Sequence, residues 1–259
     1  LIDIVDPRDE YTAADYARDA ARVIAEIHAR GRVPIVTGGT GFYYRALTRG
    51  LFPGPGKDPG LRERLGRTAD RRGTAFLWRM VRRFDPASAA RIQPGDRRRL
   101  IRALEVFFQT GRTLTDHFAA TASPLPPGVE VRPLALRLDS GVLARRLAAR
   151  VDAQFAAGLV DEVRGLLARG VPPTARPFGG LVYRQVREYL HGIRDLQATR
   201  DLIVQENRRY ARRQLIWFRK EPNLIWFEGP GDSPDVQADV LTWLAERGLL
   251  LDRGPAAHA

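Results

Sequence analysis

Gly31 to Tyr44 reads GRVPIVTGGTGFYY, and this stretch decides the fold class. Before it, Thr12 to Arg30 has the form of a helix. Thr12 can cap it with Asp15 three residues on, Ala14, Ala17, Ala21, Ile24 and Ile27 make an apolar stripe, and Gly31 ends it. Val33 to Val36 is a short apolar run with Pro34 near its start, the form of a buried parallel strand. Thr37-Gly38-Gly39-Thr40-Gly41 follows at once, and Phe42 to Thr48 starts another helix. Helix, strand, glycine-rich turn and helix in that order predict an α/β fold. Such folds place ligands at the carboxyl ends of strands, and glycines in the turn let backbone approach a ligand while amides stay free at a helix N-terminus. The turn is not a Walker A loop, because no Gly-Lys-Ser/Thr follows, and it does not fit G-x-G-x-x-G. A purely structural turn is the alternative.

Downstream the character changes twice. Leu51 to Pro59 carries Pro53, Gly54, Pro55, Gly56 and Pro59 and predicts a hinge. From Leu61 to about Phe118 the chain reads helical, with turns near Gly73, Asp85-Pro86 and Gln93-Pro94-Gly95. Ser123 to Gly128, SPLPPG, is a second linker. Val129 to Leu138 alternates toward a strand, a long helix runs from Ser140 to about Ala157, helices continue through Arg219, and Leu224 to Phe227 is a last strand. The expected organisation is an α/β core, residues 1–52 and 129–259, interrupted by a helical insert, residues 53–128.

Composition narrows the chemistry. Among 259 residues, Lys+Arg is 42 against Asp+Glu 30, a formal net charge of +12. The pI of ≈ 10.9 is the electrostatic footprint expected of a nucleic-acid binder. With 44% hydrophobic content there is ample material for a core, and no apolar run approaches the length of a membrane span. Zero cysteines exclude disulfides, thiolate zinc sites and cysteine nucleophiles, which suits the cytoplasm. His28, His117, His191 and His258 are scattered and lack metal-ligand spacing, so no protein-built metal site is expected.

The charge is concentrated in Arg208 to Lys220, RRYARRQLIWFRK. Wound as a helix, Arg208, Arg209, Arg212, Arg213, Arg219 and Lys220 share one arc, interrupted only by Ile216. Tyr210, Ala211, Gln214, Leu215, Trp217 and Phe218 fill the rest. The planar guanidinium fork matches phosphate oxygens, and no acidic i,i+4 partner lies within the run. A polyanion is the favoured partner, a solvated helix face the alternative. Asp96 to Arg102, DRRRLIR, repeats the theme, with Asp96 as a cap and Arg98, Arg99 and Arg102 on neighbouring faces. Arg150-Val151-Asp152 and Asp161-Glu162 are by themselves surface decoration, with no second carboxylate spaced for acid/base work.

Taken in order, these segments resemble the tRNA dimethylallyltransferase (tRNA isopentenyltransferase) family. The resemblance runs from Asp3 to about Phe227 through DP-x3-YTAADY from Asp6 to Tyr16, GRVPIVTGGTGFYY from Gly31 to Tyr44 and DP-x2-R from Asp58 to Arg62. It continues through DPASAARIQPGDRRRLIRALEVFFQTG from Asp85 to Gly111 and RVDAQFAAGLVDEV from Arg150 to Val163. GGLVYRQV from Gly179 to Val186 and YARRQLIWFRK from Tyr210 to Lys220 complete it. The resemblance implies a P-loop-type core with a parallel sheet and an inserted all-helical domain. It also implies transfer of a dimethylallyl group from dimethylallyl diphosphate to the exocyclic N6 amine of the adenine 3′-adjacent to the anticodon in tRNA.

By the same resemblance, Thr40 lies near the reacting adenine and Arg150 contacts the diphosphate. The tRNA contacts carried over are Arg62; Arg98, Arg99, Leu100, Ile101 and Arg102; Gly179, Gly180, Leu181, Val182, Tyr183 and Arg184; and Arg212, Arg213, Gln214, Leu215, Ile216, Trp217, Phe218 and Arg219. Mg2+ is implied alongside the diphosphate, the tRNA anticodon stem-loop is the macromolecular partner, and a monomer is expected. The family's P-loop and general-base Asp match nothing in the sequence from Leu1 onward, so a form lacking its N-terminal segment is expected. Val182 stands where a glycine is common, and Asn207 where Thr is frequent. The alternatives are a non-catalytic RNA-binding fragment and a P-loop nucleotide kinase.

Overall fold

The computed structural model describes residues 1–52 and 54–249; Pro53 of the expected hinge and His258 lie outside them. The described residues are rich in helix, with a small two-stranded parallel sheet. They form two compact units. One comprises residues 1–11, 37–41 and 128 onward, the other residues 12–36 and 42–127. This grouping follows contacts and sets the first two helices with the helical segment, whereas the core-and-insert division expected from the hinges splits them.

The second unit opens with α1 (Ala13–Ala29), where Thr12 and Asp15 form a reciprocal capping box. Its buried residues are Ala13, Ala17, Ala20 and Ile24; of the expected stripe Ala17 and Ile24 are buried, Ala21 and Ile27 half-buried, and Ala14 is exposed. The α2 helix (Gly41–Arg49) packs Ala46 and Leu47 against it, and Tyr16 stacks on Tyr43 with centroids 4.7 Å apart. The expected strand at Val33–Val36 is not formed. Ile35 is 84% exposed, and among the described residues no strand pairs with this run. Four extended residues gain no ladder hydrogen bonds without a neighbour, so the run stays irregular.

Five helices complete this unit: α3 (Pro59–Arg72), α4 (Thr74–Phe84), α5 (Pro86–Arg91), α6 (Arg97–Thr110) and α7 (Leu114–Ala119). Local chemistry sets their starts. Asp58 before Pro59 and Asp85 before Pro86 each accept a backbone N–H with proline in the first turn, and Asp96 caps α6. Their core is Leu61, Leu65, Leu77, Val81, Leu100, Leu104 and Val106. Turns fall at Gly73, Asp85 and 93–96, where the punctuation residues predict them.

In the first unit, β1 (Leu134–Arg137) pairs in parallel with β2 (Ile225–Glu228), Leu134 opposite Ile225 and Arg137 opposite Glu228. The strand expected over Val129–Leu138 is thus shortened to the residues that meet a partner. Between the strands lie α8 (Ser140–Ala156), α9 (Leu159–Ala168), α10 (Arg176–Gly179), α11 (Tyr183–Leu190) and α12 (Leu196–Phe218); α13 (Pro234–Ala245) follows β2 and packs on it. Val151, Val163, Phe178, Val186 and Ile203 form the helical core, in which α12 packs on α8 and α11, and α9 packs on the same two helices. Among the described residues no helix is long and apolar enough to cross a membrane.

Candidate nucleic-acid interface and transfer site

The 23-residue α12 is amphipathic in its second half, as the arginine pattern predicts. Arg208, Arg209, Arg212, Arg213, Arg219 and Lys220 are exposed, while Ala211, Gln214, Leu215, Trp217 and Phe218 are half-buried. Ile216, which interrupts the basic arc, is exposed, and so is Tyr210. None of these cations has a carboxylate partner among the described residues. The Arg213 guanidinium carbon lies 5.7 Å from the centre of the Tyr210 ring. Arginines nearby behave differently. Arg200 donates to both Asp152 oxygens at 2.6 and 2.9 Å and lowers that carboxyl's pKa, and Arg184 donates to Glu206 at 2.7 Å. The far end of α12 is neutralised; the end that carries the arginine row is not.

The glycine-rich turn lies on the opposite side of the same helix end. Gln214 Nε2 donates to the Gly39 carbonyl at 2.7 Å. A Cβ added at Gly41 would fall 2.3–2.5 Å from three atoms of the Trp217 ring, so only glycine permits this approach. Thr40, between the two glycines, is exposed. Arg150 on α8 is exposed and makes no hydrogen bond or ion pair among the described residues, leaving its fork available to an anion.

The segment at Gly179 and Gly180 is exposed, and Leu181, Val182, Tyr183 and Arg184 are half-buried. Val182 sits at φ 78°, ψ −62°, a γ-turn conformation that is strained for a β-branched residue. The turn launches α11 and aims Tyr183, whose hydroxyl donates to Glu162. Burial and that bond push the Tyr183 phenol up to about 12.

In the other unit, the expected contacts of α3 and α6 have partners within the protein. Arg62 donates through Nε and Nη2 to Glu105 at 2.7 and 2.8 Å, and Arg102 donates to the same carboxylate at 2.7 Å and to the Pro55 carbonyl at 3.0 Å. The Asp58 amide adds a fourth donor at 2.9 Å. Burial alone would raise the Glu105 carboxyl, yet these bonds hold it down at about 2. Arg99 pairs with Asp96 at 3.3 Å, Arg98 is exposed and has no partner among the described residues, Ile101 is half-buried and Leu100 is fully buried. Glu105 escaped the sequence reading. Its signal is a lone carboxylate in the apolar stripe of Leu100, Ala103, Leu104 and Val106, three residues after an arginine.

Comparison with known proteins decides the family. A family model described as "IPP transferase" matches residues 1–221. The chain belongs to the IPP transferase family. It is 44% identical over 236 residues to the tRNA dimethylallyltransferase of Geobacter sulfurreducens, covering 91% of this chain and 76% of that protein. It is 43% identical to the tRNA dimethylallyltransferase of Solibacter usitatus, covering 95% of this chain and 80% of that one. Among solved structures, the tRNA isopentenylpyrophosphate transferase of Bacillus halodurans aligns with a TM-score of 0.65 at 32% identity, over 95% of this chain and 77% of that one.

Proposed function

We propose that this protein is a tRNA dimethylallyltransferase that binds the anticodon stem-loop and alkylates the adenine 3′ to the anticodon. The adenine N6 lone pair attacks the allylic carbon of dimethylallyl diphosphate. The carbon–oxygen bond breaks, diphosphate leaves with the bonding pair, and the amine loses one proton. The base must leave its stack to reach such a site. The protein's work is alignment and neutralisation of the departing charge.

The observation that carries this reading is the unneutralised arginine row on α12 beside the turn that presents Thr40. Arg212, Arg213 and Arg219 engage backbone phosphates and position the tRNA without reading sequence. Thr40 stands beside the adenine and Arg150 on the diphosphate. In the unit of α12 the exposed Gly179 and Gly180 also meet RNA; in the other unit Arg98 and Arg99 do so, over the buried Leu100 of the same helix. Arg62 and Arg102 meet RNA only with the portion that Glu105 leaves exposed, about a third of each side chain.

The core-and-insert organisation and the P-loop-type core belong to the same proposal, supported by the likeness to the Bacillus halodurans structure. Among the described residues no group of three His, Cys, Asp or Glu comes together. Mg2+ is usually held through one or two carboxylates and the substrate's phosphates, so it would enter with the diphosphate, and no step is assigned to the ion. The protein acts as a monomer. The test is equilibrium binding of an unmodified anticodon stem-loop at several salt concentrations. Binding that weakens steeply with salt, and falls when Arg212 and Arg213 become alanine, supports the proposal. Salt-independent binding, or none, overturns it.

A further inference from the structure

Gln214 and Trp217 are three residues apart on α12 and share a face, opposite Arg212 and Arg219, while Arg213, four residues before Trp217, borders it. Both are engaged with the Thr40 turn. Gln214 grips the carbonyl on one side of Thr40, and the Trp217 ring lies against Gly41 on the other. Trp217 is itself braced edge-on by Phe218, with centroids 4.8 Å apart. Among the described residues no sheet holds the turn: the preceding run is irregular, and its Val33, Ile35 and Val36 are exposed.

We infer that Gln214 and Trp217 are positioning residues that fix Thr40 to the helix whose other face binds phosphate. This rests on the proposed place of Thr40 beside the reacting adenine. Because helical geometry fixes the spacing of residues along α12, seating backbone phosphates on the arginine face sets the distance from those phosphates to Thr40. One helix thus serves as a ruler between the RNA backbone and the base that reacts. Gln214 and Trp217 contribute to turnover through the turn, not through contact with RNA. Misplacing a reacting group by about 1 Å costs on the order of 100-fold in rate, so loosening the turn registers in kcat.

The experiment uses the protein expressed from its natural coding sequence, with unmodified tRNA and dimethylallyl diphosphate. Gln214→Met keeps the volume and removes the donor. Gly41→Ala drives a methyl into the Trp217 ring, and Gly41→Ala combined with Trp217→Leu makes room for it. The expected result is a drop in kcat of about 10- to 100-fold for Gln214→Met and for Gly41→Ala, with tRNA Kd changed by less than about 3-fold. The double variant recovers at least part of the Gly41→Ala loss. Hydrogen exchange at residues 37–41 should speed up in Gln214→Met, whether or not transfer is measured. Unchanged exchange, or a loss confined to Kd with kcat intact, overturns the inference. Wild-type protein without transfer activity overturns the functional proposal and the kinetic half of this one, while the exchange result still decides whether the tether exists.

Discussion

Glu105→Gln tests how the helical unit is held, and the structure sets the size of the effect. The carboxylate is fully buried and accepts from Arg62, Arg102 and the Asp58 amide. Its pKa falls from 4.5 to about 2 on folding, which corresponds to about 3 kcal/mol of stability at neutral pH. The folded value is the depressed one, so this stability is fully present above 4.5 and drains as pH falls from 4.5 toward 2. The amide keeps the shape but offers one acceptor oxygen and adds donors that face two guanidinium groups. Because those guanidinium groups are each about one-third exposed, they can turn to water, which keeps the cost nearer 3 than 5 kcal/mol. Urea unfolding followed by circular dichroism should show the variant about 3 kcal/mol less stable at pH 7. The gap should narrow by about 2 kcal/mol at pH 3, where much of the wild-type advantage has titrated away. A gap below about 1 kcal/mol at pH 7, or one that stays constant with pH, refutes the assignment of the shift to this cluster.

Three further outcomes follow from the same geometry. Arg212→Ala and Arg213→Ala should each weaken stem-loop binding whatever the sequence and reduce the slope of log K against log salt by about 0.9, as titrations between low and moderate salt will show. Arg150→Ala should lower kcat by about 100-fold with little change in tRNA Kd, and equal losses in both would remove its diphosphate role. At Val182 the backbone is strained for any residue with a Cβ, so Val182→Gly should be more stable than Val182→Ala by about 1 kcal/mol in paired melts, the reverse of the usual order of these two residues.

What could be read from the sequence was local. The caps at Thr12, Asp58, Asp85 and Asp96 and the turn after Phe84 each depend on a few neighbouring residues, and all were foreseen or follow from Asx-Pro pairs. The arginine face of α12 was legible because 100° spacing fixes it without tertiary information. Val33 to Val36 was misjudged for the complementary reason: an apolar run becomes a strand only if another strand supplies its hydrogen bonds. In α1, Ala17 and Ile24 are buried as read, while Ala13 and not Ala14 is buried, because neighbouring alanines are equal in size and composition does not choose between them. Arg62 and Glu105 are 43 residues apart, and Gly39 and Gln214 are 175 apart. Neither pairing leaves a trace in local spacing, so both arrangements, one in each unit, emerged only from the structure.

The most direct test of the central claim is nucleoside mass spectrometry of unmodified tRNA after incubation with dimethylallyl diphosphate and the protein expressed from its natural coding sequence. The account predicts one added C5H8 unit on N6 of the adenine 3′ to the anticodon, and none when that adenine is replaced by guanine. Alkylation elsewhere in the tRNA, or an unaltered adenine despite saturating tRNA binding, would contradict it.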